Sequence, residues 1–300
     1  MKKIIYVITI FAMALLTTAC VQNASQKDAG AEKNLAPGQS LGIASVTNLR
    51  DVGGYKTLDG KTVTRGLAFR SNELNPISPD DMKKIAALGL KNDYDLRTVA
   101  EAKAMPDELP QGVEYTLLNV LADAPKSSPA MLEELVRDPK EANIKLGDGR
   151  IDSMFMVGYK EFITLPSAKS SFSELFLSLA NAEKTPALFH CTTGKDRTGW
   201  AAAALLTLVG VSPEIVMDDY LRTNEYILPM YKKQIDEFVA AGGDSAIVLA
   251  IFGAKAEYLN ASFDEMKKNY GTIENYFTEG LGIDSQQQQK LRERFLTAGN

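Results

Sequence analysis

The chain has 300 residues, 45% of them hydrophobic, and a formal net charge of −5. That length suffices for one large domain or two small ones with a proper core, and the composition rules out disorder over most of it. Lysine and arginine are scattered rather than gathered into a stripe, which argues against a nucleic-acid partner.

The N-terminus reads as an export signal. Lys2 and Lys3 precede a mostly apolar stretch, residues 4–16, too short for a membrane span of about 20 residues. Thr17, Thr18 and Ala19 before Cys20 resemble a bacterial lipoprotein box, although the box usually has leucine where Thr17 stands. On this reading residues 1–19 are a signal peptide and Cys20 becomes the lipidated first residue; ordinary secretion with cleavage nearby is the alternative. Residues 20–40 are rich in Asn, Ser, Gln, Gly and Pro and form a flexible tether. The expected location is the bacterial cell envelope, periplasm-facing or at the surface, with the membrane contacted through the N-terminal lipid. Residues 41–300 form the remaining domain.

Within that domain, strands are expected at 67–70, 92–96, 113–120 and 186–189. Ser78 caps a helix running to Leu88, with Gly89 ending it. The charged, Gly/Pro-containing stretch 125–150 has room for one short helix at 130–136, and a helix at 170–182 precedes the last strand. Beyond it helices are expected at 200–209, 213–222, 225–240, 254–269 and 284–297. Strands alternating with helices, then a helical tail, predict an α/β fold: a central, mostly parallel sheet flanked by helices. Ligands bind such sheets beyond the strand C-termini.

One stretch at such a strand end stands apart: His190-Cys191-Thr192-Thr193-Gly194-Lys195-Asp196-Arg197-Thr198-Gly199. A cysteine at a strand end, five residues, then an arginine opening a helix is suited to gripping a phosphate. The turn's N–H groups converge, the helix dipole adds positive potential, and the Arg197 fork reaches two oxygens. Thr192, Thr193, Gly194, Lys195 and Asp196 are the candidate binding residues. The same positive focus favours the thiolate of Cys191, a nucleophile facing the phosphorus. A nucleotide-binding loop is excluded, because Asp196 follows Lys195 and no glycine stands five residues before Gly194. The chain's cysteines are Cys20 and Cys191 alone, so a lipidated Cys20 leaves Cys191 without a disulfide partner. His190 is the only histidine, and neither a metal site nor a cofactor is expected.

Several segments together resemble the bacterial tyrosine phosphatases, the group of cysteine-dependent enzymes containing the mycobacterial phosphatase B type and the Listeria-type lipid and tyrosine phosphatases. They are Asn48-Leu49-Arg50-Asp51-Val52-Gly53-Gly54, Phe69-Arg70-Ser71, Asp95-Leu96-Arg97, the nucleophile loop, and Asp219-Tyr220-Leu221-Arg222-Thr223-Asn224. The resemblance implies a cysteine-phosphatase fold with a helical lid insertion, and a two-step reaction through a phosphocysteine on Cys191. Arg197 would hold the transferring oxygens, and Thr198 would hydrogen-bond the sulfur unless it is a plain helix-start residue. His190 would orient the loop. Lys195 would add charge at the mouth, a feature tied in this family to phosphoinositide substrates. Asp196 would brace Lys195 or serve as an acid. Asp123 is the first choice for the general acid; its alternative is an ordinary solvated loop carboxylate. Asp95 with Arg97, and Arg50, Asp51, Arg70 and Asp219, would be structural braces. Met131, Leu132, Leu135, Met154, Phe155 and Met156 would give a lid its apolar surface, or belong to a packed helical pair without gating.

The expected substrate is a phosphorylated protein or a phospholipid or inositol phosphate. A phytate-type phosphatase is the alternative within enzymes, and a catalytically idle phosphate-binding module the alternative outside them.

Overall fold

The computed structural model describes residues 35–124 and 136–297. The expected signal peptide, Cys20, most of the tether, Met131, Leu132 and Leu135 lie outside them, as does nearly all of the short helix expected at 130–136. Among the described residues, no single helix is long and apolar enough to cross a membrane.

Five short strands form the sheet: β1 (Arg50–Asp51), β2 (Ala68–Ser71), β3 (Asn92–Asp95), β4 (Glu114–Leu117) and β5 (Ala187–His190), ordered β1-β2-β5-β3-β4. Only β1 runs antiparallel, so the mostly parallel α/β expectation holds. Ser71 and Asp95 both pair with His190, and Asp95 also pairs with Leu117. The parallel strands therefore end in one row, and the chain leaves β5 at Cys191 from the centre of that row.

Helices cover both faces because the strands alternate. Leu188 and Phe69 point to a smaller core beneath helix α1 (Pro79–Ala87), where Ile85 is buried. Ala187 and Phe189 point to the larger core. Ser78 caps α1 as expected, accepting from the Asp81 N–H. Helix α2 (Val99–Ala104) follows β3 and starts with a reciprocal box: the Thr98 hydroxyl accepts from the Glu101 N–H, and Glu101 reaches back to Thr98 N. Between β4 and β5 come α3 (Pro139–Leu146), α4 (Arg150–Thr164) and α5 (Pro166–Ala180). The expected start of α5 at 170 was four residues late, because Pro166 supplies a pre-set first turn.

Helix α6 (Arg197–Leu208) follows β5 and is buried almost all round, as a central core helix must be. The tail comprises α7 (Pro213–Leu221), α8 (Thr223–Met230), α9 (Lys232–Ala240), α10 (Ser245–Phe252), α11 (Ala256–Tyr270), α12 (Ile273–Asn275) running into a wider turn at Tyr276–Gly280, and α13 (Ser285–Phe295). The single helix expected at 225–240 is two, divided at Tyr231 just after Pro229. No expectation covered α2 or α10, and both touch the Cys191–Arg197 turn.

Candidate active site

The Cys191–Arg197 turn is held from outside by its carbonyls. The Thr192 carbonyl accepts from the Glu73 N–H at 3.1 Å. The Thr193 carbonyl accepts from Asn48 Nδ2 at 3.0 Å, and the Gly194 carbonyl from Arg70 at 2.9 Å. In a trans peptide the N–H points opposite the preceding C=O, so the amides of Thr193, Gly194 and Lys195 face the other way, into the turn. Gly194 sits at φ +68°, and a Cβ there would overlap the Ser71 backbone oxygen; only glycine lets the turn lie this close to β2. Helix α6 begins where the turn ends. Asp196, at its cap position, makes no side-chain bond to the first turn, and the dipole's positive end points at the same place.

Cys191 lies at the floor, 1% exposed. Arg197 is also buried, and its fork is gripped end-on by Glu101 of α2: Nη1 to Oε2 at 2.9 Å and Nη2 to Oε1 at 2.8 Å. Glu101 Oε1 further accepts from the Thr192 hydroxyl at 2.5 Å, and Oε2 from Thr98. Burial works against ionising Glu101, but the Arg197 guanidinium outweighs it and holds the carboxyl far below the usual range. Glu101 thus fixes both ends of the turn, and the sequence reading missed it. The visible trace was the Thr98-to-Glu101 capping spacing, which starts at the residue immediately after Arg97.

Thr198 is fully buried, and its hydroxyl has no hydrogen-bond partner among the described residues. The Asp196 carboxylate accepts from the Tyr159 hydroxyl of α4 at 2.7 Å, and Tyr159 lies 2.6 Å from the Tyr220 hydroxyl. Burial, reinforced by Asp196, keeps both phenols protonated to well above their ordinary range. Asp196 therefore has a brace of its own, and Lys195 is a minor part of it at 3.5 Å.

Lys195 is not at a mouth. Its side chain is wholly buried, and Nζ donates to the carbonyls of Ala250, Ile251 and Gly253 at 2.8–3.1 Å, at the end of α10. The Phe155 ring lies 4.3 Å from the ammonium. A lone cation finds the unsatisfied carbonyls of a helix C-terminus more readily than open water when an apolar helix packs over it. Asp123 is exposed, and among the described residues both its hydrogen bonds go to Ser167 in the first turn of α5: its carboxylate accepts from the Ser167 N–H at 2.7 Å. The residues expected on a lid or a packed helical pair divide: Phe155 and Met156 pack on the main core, while Met154 stays half exposed.

The other motif residues are structural. Asp219 is gripped by Arg50 at 2.8 Å and Arg70 at 2.6 Å, with the Tyr55 hydroxyl at 2.7 Å. Burial opposes its charge, but the two arginines hold it ionised to below the usual range. Asp51 ties the Gly53 and Gly66 amides. Asp95 pairs with Arg97 at 2.8 Å, and Arg97 also reaches Glu73 and Asp107. His190 lies behind the loop, with Nδ1 3.3 Å from the Cys191 carbonyl and Nε2 near Asp93 and Asp107. Burial disfavours its charged form, but the two carboxylates prevail and keep it protonated well above its ordinary range. Sequence spacing gave no warning that the fold would bring Asp93, Asp107 and His190 within 4.8 Å of one another.

The profile of the "Tyrosine phosphatase family" matches residues 41–297. The chain is 29% identical over 272 residues to the triple specificity protein phosphatase PtpB of Mycobacterium tuberculosis, covering 82% of this chain and 95% of that one. It is 27% identical over 238 residues to a tyrosine-protein phosphatase of Nostoc commune, covering 77% and 74%. A protein of Cupriavidus necator provisionally named as a tyrosine-protein phosphatase is 27% identical over 256 residues, covering 85% and 88%. The outward-braced loop and this similarity agree: the chain belongs to the tyrosine phosphatase family.

Proposed function

We propose that the chain hydrolyses phosphotyrosine, and phosphoinositides or phosphoserine/threonine in addition, through a phosphocysteine formed on Cys191. The observation that carries the reading is the inward set of loop amides facing a buried thiol, with Arg197 at the end of the turn held by Glu101. Cys191 Sγ attacks phosphorus in line, the S–P bond forms as the ester P–O bond breaks, and the leaving oxygen takes a proton. The loop amides and Arg197 stabilise the equatorial oxygens. Water then attacks phosphorus, and the Thr198 hydroxyl eases departure of the sulfur.

Asp123 remains the first proposal for the proton donor. It would have to leave Ser167 to act, and Asp196 at the loop itself is the second candidate. The name of the mycobacterial relative, triple specificity, favours several substrate classes over phosphotyrosine alone. A phytate-type activity needs a wide basic pocket, and the burial of Lys195 removes the loop's own lysine from that role. We further propose that the protein is exported and lipid-anchored through Cys20, with residues 20–40 as the tether. Turnover of p-nitrophenyl phosphate by the wild type, and none by Cys191→Ser, tests the enzyme reading against an idle phosphate binder. A panel of phosphotyrosine peptide, phosphoserine peptide, phosphatidylinositol phosphates and phytate then ranks the substrates; preference for phytate would overturn the substrate proposal.

A further inference from the structure

Behind the nucleophile loop, on the side away from the phosphate, lies a polar cluster that the proposed reaction does not use. Asp93 of β3, His190 at the end of β5 and Asp107 on the loop after α2 converge there, with side chains 0% exposed. His190 Nε2 is 3.3 Å from Asp107 Oδ2 and 3.6 Å from Asp93 Oδ2. Neither Nε2 nor either oxygen of Asp93 has a hydrogen bond of acceptable geometry among the described residues. Buried polar atoms are seldom left without a hydrogen bond, and three in one spot point to a bound ion or water.

The spacing indicates which ligand. Tetrahedral zinc binds imidazole nitrogen and carboxylate oxygen at about 2.0–2.2 Å, which puts neighbouring ligand atoms about 3.3–3.5 Å apart. The Nε2–Asp107 separation of 3.3 Å falls at that spacing and the Nε2–Asp93 separation of 3.6 Å lies just beyond it, with all three ligand atoms within 4.8 Å of one another. Charge points the same way: Glu73, Asp93, Asp95 and Asp107 carry four potential negative charges against two cationic side chains, Arg97 and His190. The surroundings are those of a supported site. The Leu74 N–H donates to Asp107 Oδ1 at 3.0 Å, and Arg97 holds Oδ2 at 2.6 Å. An ion at Nε2 takes the place of the proton that Asp93 and Asp107 otherwise hold there, and leaves the remaining proton on Nδ1, which faces the Cys191 carbonyl at 3.3 Å. Met105, Pro106 and Glu108 on the Asp107 loop are exposed, which gives an ion a way in from that side.

We propose that Asp93, His190 and Asp107 bind one divalent cation of the zinc class, with water as the fourth ligand, and that this ion braces the nucleophile loop from behind without touching substrate. The site is distinct from any metal capture by the catalytic thiolate, and the test separates the two. Untagged full-length Cys191→Ser protein, which lacks the thiolate, is titrated with Co2+ and, separately, Zn2+. The expected results are one equivalent bound, tetrahedral visible bands with Co2+, and a raised Tm. Asp93→Asn and Asp107→Asn, each in the Cys191→Ser background, should weaken binding by about tenfold or more and abolish the Tm rise. Using both variants keeps the test sound if one fails to fold. The proposal is overturned if Cys191→Ser binds neither ion, or if a folded Asp93→Asn or Asp107→Asn protein binds as tightly as its parent.

Discussion

Glu101→Gln is the most informative perturbation of the loop, because it changes one charge and almost no volume. The carboxylate receives two bonds from Arg197, one from Thr192 and two from Thr98. An amide can accept at only one of its two ends. Keeping its oxygen at the Oε2 position preserves the Thr98 pair and Arg197 Nη1, but sets an N–H2 group against Arg197 Nη2 and obliges the Thr192 hydroxyl to turn from donor to acceptor. Arg197 is then a buried cation, 4% exposed, without its counter-charge. Removing one partner of a buried pair costs about 3–5 kcal/mol, and the retained bonds place this case near the lower end. The rate should fall as well, since the fork and the first residue of the turn lose a shared anchor. A loss of roughly 10- to 100-fold in kcat/KM corresponds to about 1.4–2.7 kcal/mol of transition-state stabilisation. Urea unfolding gives the first quantity and p-nitrophenyl phosphate kinetics the second. Wild-type stability together with wild-type kcat/KM would refute the claim that Glu101 holds the loop's arginine.

Three further outcomes are expected. Lys195→Met should strand the carbonyls of Ala250, Ile251 and Gly253 and destabilise by about 1–3 kcal/mol, the cost of unsatisfied buried groups; a raised KM with unchanged Tm would instead put Lys195 at the substrate. Asp123→Ala should slow alkyl phosphates more than aryl phosphates, because a phenol leaves well without a proton; equal slowing of both would remove Asp123 from the acid role, and Asp196→Asn is the matched comparison. The carboxyls of Glu101 and Asp219 are both held below their ordinary range. Their contribution to stability is therefore fully present above the unfolded values of about 4 and is lost as pH falls through the folded values. The urea midpoint should drop below pH 4, and less steeply in Glu101→Gln; parallel curves for the two proteins would contradict the assignment for Glu101.

The sheet and the Cys191–Arg197 turn were legible because their signals are local. Alternating apolar strands, Ser78 before Pro79, and a cysteine and arginine spaced across a strand-to-helix turn all declare themselves within ten residues. The motif residues Arg50, Arg70 and Asp219 were read as supports, and the structure supplies their tasks: Arg70 holds a loop carbonyl, and Asp219 is gripped by both arginines; Asn48, given no task from sequence, holds a second loop carbonyl. What stayed hidden depends on contacts between distant segments. Glu101 meets Arg197 across 96 positions, and Lys195 finds its carbonyls 55–58 positions away. A lysine in a polar string reads as exposed until the fold lays α10 and Phe155 against it. Helix α2 is only six residues long with none buried, so it has no apolar stripe to betray it.

The central claim is that Cys191 carries the phosphoryl group during turnover, and a denaturing quench measures that directly. Wild-type protein mixed with 32P-labelled substrate is quenched at times shorter than one turnover, digested, and the labelled peptide sequenced. The account predicts label on the peptide containing Cys191, absent from Cys191→Ser. Active enzyme whose label never appears on Cys191 would contradict it.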